Sequence, residues 1–276
     1  MISQYPYYEF EPGIFEIDEF DCASIFLIVG SKRAFLLDTG IGIGDLKTCV
    51  ERLTDKQYDI VMSHGHGDHT GGTWAFDSIY MNSRDIGVYA MPPEMEMRKH
   101  YAASIAKREH KHYSYIMGND FGEFESVPNI LPLEDGQVFD LGDRTITAYA
   151  CPGHTPGEMV FIDSKSKILF AGDAVNCNLL IANKEGPQYV GIEKARDALR
   201  RIAGMAGTYY DPQKVYNSHH DYRGFGQPLA EDVLPDALQC LEELCAGTAT
   251  TTEIPDPLGN GASHIVAVKG SVNVSF

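Results

Sequence analysis

The stretch Ser63-His64-Gly65-His66-Gly67-Asp68-His69-Thr70-Gly71-Gly72 constrains this chain more than any other. Three of the ten histidines and one aspartate fall within six positions, interleaved with glycines. Imidazole and carboxylate are common protein ligands of Zn²⁺ and similar ions, and glycine lets a loop close tightly around one. A histidine-rich surface loop is the plainer alternative; the density and spacing favour a metal site.

The rest of the chain offers a frame for such a site. At 276 residues it is long enough for one large domain or two small ones, each with a buried core. Hydrophobic content of 43% and charged content of 22% are ordinary for a soluble globular protein. No apolar run approaches the length of a membrane span. Residues 1–20 carry no Lys or Arg and no continuous apolar core, so no secretory signal is read there and a cytoplasmic location is expected. The formal charge of −17 argues against nucleic acid as a partner, because phosphates would be repelled. Cys22, Cys49, Cys151, Cys177, Cys240 and Cys245 are scattered, with no Cys-x-x-Cys pair; reduced thiols fit better than a disulfide framework.

Along the chain, Gly13–Phe20, Ser24–Gly30 and Arg33–Asp38 read as strands, Asp45–Leu53 as a helix, and Asp59–Met62 as a buried strand that delivers the histidine cluster. A helix start is expected at Gly71–Phe76 and a strand at Ser78–Met81. Glu94–Met117 differs in charge, with five Lys/Arg against three Glu, and Ala102, Ile105, Ala106, Tyr113 and Ile116 approximate a helical stripe. Gly118–Pro132 reads as a loop. Strands follow at Gln137–Leu141, Thr145–Cys151, Met159–Asp163 and Ile168–Ala171, then a helix at Ile192–Ala206, a strand at Lys214–Asn217, a helix at Leu229–Cys245, and a closing hairpin. No low-complexity linker divides the chain. Residues 1–276 therefore read as one domain with a helical insertion at about 90–130, a candidate substrate lid.

Three further ligand-type residues fall just beyond predicted strands: His154 after Thr145–Cys151, Asp173 after Ile168–Ala171, and His219 after Lys214–Asn217. Any one alone reads as a turn or cap residue. Their recurrence at the same end of successive strands points to a shared site.

These residues carry a resemblance. Asp38, His64/His66/Asp68/His69, His154 in Pro-Gly-His, Asp173 in Gly-Asp, and His219 together resemble the motifs of the metallo-β-lactamase superfamily, specifically its glyoxalase II-like hydrolases. The resemblance implies an α+β fold, a four-layer αββα sandwich with the site at one edge. It also implies two divalent ions, zinc first and Mn or Fe as alternatives. One would be held by His64, His66 and His154, the other by Asp68, His69 and His219, with Asp173 bridging and Asp38 supporting from behind.

One departure stands out. The final histidine usually follows glycine; here Ser218 precedes His219, and His220 follows. Position favours His219 as the ligand and leaves His220 as a supporting or substrate contact.

Two cations sharing a water lower its pKa from near 16 to about neutral, so hydroxide is available without a nucleophilic Ser or Cys. The expected function is a hydrolase that uses this bridging hydroxide on a small-molecule ester, thioester, lactone or phosphoester, with Asp68 relaying the proton. Alternatives are a mononuclear iron persulfide dioxygenase-like oxidoreductase, and β-lactam hydrolysis as a side activity. Arg98 and Arg108 are candidates to receive an anionic substrate; the competing expectation is a helix packed on the sandwich with its charges solvated.

Overall fold

Alternation of apolar side chains between two faces builds this molecule. The computed structural model describes residues 5–89, 95–106, 120–122, 127–183, 186, 188–220, 223–255 and 263–276. A seven-stranded sheet runs in chain order through β1 (Tyr7–Glu11), β2 (Ile14–Asp18), β3 (Ser24–Val29), β4 (Ala34–Leu37), β5 (Tyr58–Val61), β6 (Ser78–Met81) and β7 (Asn129–Pro132). Its first four strands pair antiparallel, and the rest are parallel. In β3 and β4 successive residues go to opposite faces. Phe26, Ile28, Phe35 and Leu37 enter one core, while Ile25, Leu27, Ala34 and Leu36 enter another.

A second sheet holds β8 (Val138–Asp140), β9 (Thr145–Ala150), β10 (Met159–Asp163) and β11 (Leu169–Phe170), closed by β13 (Val215–Tyr216) beside β11. Met159, Phe161 and Phe170 face the first sheet, and Val160, Ile162 and Leu169 face away. The central core therefore lies between the sheets, with Phe35 edge-on to Phe139 and Phe26 against Phe170. Each fully buried Phe, Ile or Leu contributes roughly 1.5–3 kcal/mol. On the outer face of the first sheet, α1 (Leu46–Leu53) and α3 (Met95–Ile105) bury Leu46, Val50, Ala102 and Ile105. Asp45 caps α1 by accepting from Thr48 N at 3.0 Å. On the outer face of the second sheet, α4 (Ile192–Ala203) and α5 (Val233–Ala246) bury Leu199, Ile202, Ala237 and Leu241. The αββα order expected from the sequence is the one found.

The structure adds a third, four-stranded sheet in the order β12 (Asn178–Leu180), β16 (Val272–Ser275), β15 (Ser263–Lys269), β14 (Thr251–Pro255). Its Val272 and Val274 join the α4–α5 core. Among the described residues no helix is long and apolar enough to cross a membrane.

The strands also bring the candidate residues to one place. β4, β5, β9, β11 and β13 all end at the same edge of the sandwich, and backbone bonds sew the sheets together there. Met159 N donates to Ser63 O at 2.9 Å, and Ser24 N to Ser218 O at 2.8 Å. Chain segments leaving five strand ends must therefore share one small volume.

Candidate metal centre

The histidine cluster leaves β5 through a bend at residues 63–65, which brings the rings of His64 and His66 to 4.9 Å between centroids. A one-turn helix, α2 (Gly67–Thr70), follows at once: Thr70 N and its Oγ1 both donate to His66 O at 3.0 Å. The reversal swings Asp68 and His69 away from the first pair. Gly71–Phe76 is thus not where a helix begins; that helix sits on the motif itself, and only a 3-10 turn, Thr73–Ala75, follows.

Ligand atoms within 4.8 Å of one another form three overlapping groups: His64/His66/His154, His64/His69/Asp173 and Asp68/His69/His219. His66 Nδ1 and His154 Nε2 are 2.9 Å apart. Asp173 Oδ2 lies 3.7 Å from His154 Nε2, 3.7 Å from His69 Nε2 and 3.3 Å from His219 Nε2, so it stands between the groups. Asp68 Oδ2 is 3.7 Å from His219 Nε2, and its Oδ1 is 3.6 Å from His69 Nε2.

Hydrogen bonding fixes which ring nitrogen faces inward. His154 Nδ1 donates to Leu180 O at 3.0 Å, and His69 Nδ1 to Asp38 Oδ2 at 3.1 Å. Ser63 Oγ gives its proton to Asp38 Oδ2 at 2.8 Å, so it accepts from His64 Nδ1 at 3.0 Å. Each imidazole is left with an Nε2 lone pair on the cluster side. This is the pattern of metal-ligating histidines, which donate their other N–H to a carboxylate or carbonyl. His64 Nε2, His69 Nε2 and Asp173 Oδ1 are buried without a hydrogen-bond partner among the described residues. Buried polar atoms are rarely left so, and a cation would satisfy all three. The donor set therefore fits divalent metal.

Charge agrees with geometry. Burial, helped by neighbouring histidines, drives His64 well below the usual imidazole range, and burial with His154 pushes His66 down to about 3. Both are neutral, the form that ligates. Burial works against ionisation of Asp173, yet His219 and His69 hold it well below the usual carboxylate range. Burial alone would also depress His69, but Asp68, Asp173 and Asp38 outweigh it and hold the ring up at about 10. The carboxylates favour positive charge at that position.

Other expected residues fall in different places. Asp38, at φ +64°, accepts from Ser63 N at 2.7 Å as well as from Ser63 Oγ, His69 and Ser218 Oγ, tying three strand ends together. His219 points into the cluster. His220 turns the other way, its Nε2 at 3.0 Å from Asp18 Oδ1 and 3.6 Å from Asp21 Oδ1. Arg98 is not placed to receive an anionic substrate: it is 0% exposed, donates to Ile41 O and Gly122 O at 2.7 Å and to Gly42 O, and lies over the Phe121 ring. Its long stem lets it pack like a core residue while its fork meets backbone carbonyls. Arg108 lies outside the described residues.

Three supporting residues escape a reading of the sequence. Tyr101 of α3 donates to Asp68 Oδ2 at 2.9 Å, so α3 reaches the cluster through a phenol. Glu158 Oε1 accepts from Asp173 N at 3.0 Å; burial, with the charges of Asp173 and Asp85, pushes its acid well above normal. A Cβ at Gly172, which has φ +52°, would lie 2.6 Å from that Glu158 oxygen, so glycine is required there. Asp85 accepts from Gly65 N, Thr155 Oγ1 and Gly157 N, bridging the loops of His64/His66 and His154. Glu158 alone left a sequence signal, a carboxylate set directly before the apolar run Met159–Ile162.

A sandwich of this topology with a histidine–aspartate cluster at its strand ends defines a class of metal-binding αββα proteins. The family model "Metallo-beta-lactamase superfamily" matches residues 20–210, and the chain belongs to that superfamily. Among curated proteins it is similar to the acyl-coenzyme A thioesterase MBLAC2 of Homo sapiens, 30% identical over 58% of this chain and 60% of that protein. It is also similar to an atrochrysone carboxyl ACP thioesterase of Emericella nidulans, 26% identical over 75% of this chain and 51% of that one. The chain thus spans less than two thirds of these relatives. Among solved structures, a metallo-beta-lactamase from Pontibacter korlensis shares the fold at TM-score 0.57 and 16% identity, covering 87% of this chain and 99% of that one.

Proposed function

We propose that this chain is a metal-dependent hydrolase that cleaves the thioester of a small acyl carrier, coenzyme A being the first candidate. The observation that carries this reading is the convergence of five imidazoles and two carboxylates, with His64 Nε2, His69 Nε2 and Asp173 Oδ1 buried and without a hydrogen-bond partner among the described residues. The thioesterase names of the curated relatives narrow the substrate. In this reading His64, His66 and His154 hold one divalent ion and Asp68, His69 and His219 another, with Asp173 between them. Zinc bound there supplies Lewis acidity toward the thioester carbonyl and acidifies water.

The chain's own residues do the rest. Asp38 and Leu180 O hold His69 and His154 in the tautomer that points Nε2 inward. Tyr101 fixes one oxygen of Asp68, and the carboxylate takes the proton lost by the attacking water and returns it to the leaving sulfur. Buried thiols at Cys22, Cys49, Cys151 and Cys240 support placing the protein in the cytoplasm.

A substrate panel with metal content measured on the same sample tests this. Acyl-coenzyme A should release free thiol faster than lactones, aryl esters, phosphodiesters or β-lactams are opened, with two zinc or manganese per chain. One iron per chain with oxygen consumed on a persulfide would replace hydrolysis with the dioxygenase chemistry.

A further inference from the structure

A cavity of about 180 Å³ opens beside the cluster, and the thioester reading leaves it without a role. His66 and His154 form one end; Leu180, Ile181 and Phe276 make most of the lining apolar, and Asn183, Gln188 and His264 add polar groups. The two imidazoles at its end are the pair whose facing nitrogens are 2.9 Å apart. Whatever fills the cavity therefore abuts two of the residues proposed to hold a metal ion.

Its walls are built rather than incidental. Leu180 O accepts from His154 Nδ1 at 3.0 Å, Ala182 N donates to Gly153 O at 2.9 Å, and Ile181 N donates to Ser275 O at 2.8 Å. One short segment thus positions the ligand histidine through its backbone and offers its side chains to the cavity. In β12, Leu179 points into the α4–α5 core, so alternation turns Leu180 outward, where it stays 38% exposed. A leucine left open beside a polar metal cluster suits an apolar ligand. His264 and Phe276 come from the third sheet, beyond the residues matched by the family model.

We infer that this cavity is the acyl-chain subsite, holding an unbranched aliphatic group whose carbonyl sits at His66 and His154. The inference rests on the thioester reading and adds what that reading lacks, the class of acyl group. An apolar cavity of about 150 Å³ holds a six-carbon ring, so this one suits a medium chain of about six to eight carbons. The third sheet, through Phe276, then selects the substrate.

The test has two arms, both on the zinc-loaded full chain. The first follows kcat/KM over acyl-coenzyme A esters from two to sixteen carbons, for the native protein and Leu180→Trp. Each added methylene should raise kcat/KM by up to about fourfold until the cavity is full near eight carbons. The octanoyl-to-acetyl ratio should fall at least tenfold in Leu180→Trp. The second arm measures equilibrium binding of the inert thioethers S-octyl- and S-ethyl-coenzyme A, with octyl expected at least tenfold tighter and the gap lost in Leu180→Trp. Thioester hydrolysis with a flat chain-length profile overturns the subsite and leaves the thioesterase reading standing. Octyl preference without hydrolysis of any thioester overturns that reading instead. Equal affinity for the two thioethers overturns the subsite whether or not catalysis is seen.

Discussion

Asp173→Ala is expected to lower kcat/KM for thioester hydrolysis by a factor on the order of a thousand, with loss of bound metal. Among the described residues Asp173 is the one carboxylate within 3.7 Å of a histidine from each proposed ion site, His154 on one side and His69 and His219 on the other. Its charge is secured by the surrounding imidazoles despite burial. If two ions are held as proposed, removing it would take away a negative charge that offsets them and a group set between them. Metal chemistry of this kind supplies several kcal/mol, and about 4 kcal/mol is about a thousandfold in rate. Metal content and steady-state kinetics on the same sample check it, with circular dichroism to show that the fold is kept. A loss under tenfold with full metal content would remove Asp173 from the site.

Asp85→Ala should cost about 3–5 kcal/mol in unfolding free energy and weaken metal binding, although Asp85 touches none of the proposed ligand side chains. Its carboxylate accepts from Gly65 N at 2.8 Å, Thr155 Oγ1 at 2.7 Å and Gly157 N at 2.5 Å. Gly65 lies between His64 and His66; Thr155 and Gly157 flank the turn after His154. Truncation strands buried donors in two loops at once, at roughly 1–3 kcal/mol for each buried group left unpaired. Three imidazoles lose their common brace, and a 10–100-fold drop in metal affinity is the usual scale for such support. Urea unfolding with a parallel zinc titration reads both effects. A midpoint within experimental scatter of the native protein would show that the loops hold themselves.

The proposed ligand set was legible because chemistry and spacing coincide in it. His64 to His69 lie within six residues, and His154, Asp173 and His219 each follow a stretch that reads as a strand. The choice of His219 over His220 followed from one residue's turn of the backbone, and the two side chains do diverge, toward Asp173 and toward Asp18. The supports were not legible, because each acts across the chain. Asp85 meets Gly157 from 72 residues away, and Tyr101 meets Asp68 from 33. Nothing local distinguishes them from surface residues. Arg98 misled for the same reason: a charged residue in a basic segment reads as exposed until the carbonyls of Ile41, Gly42 and Gly122 are seen around it.

The strands divide in a similar way. Central strands such as β3 and β10 are buried on both faces and read as apolar runs. The four strands that sequence patterning missed, β1, β7, β12 and β14, are the outer strands of the first and third sheets. Edge strands are half-solvated, so Tyr7–Glu11 is mostly exposed and Asn129–Pro132 ends in a proline where a loop was expected. Pairing, rather than composition, makes them strands. The proposed acyl subsite depends on one of these edges, β12, and on the sheet it begins.

Metal reconstitution tests the proposed hydrolase most directly. The full chain, stripped with chelator and verified free of metal, should be inactive on octanoyl-coenzyme A and regain activity in proportion to added zinc, saturating at two equivalents per chain. Stripped protein that cleaves the thioester as fast as the zinc-loaded protein would contradict it.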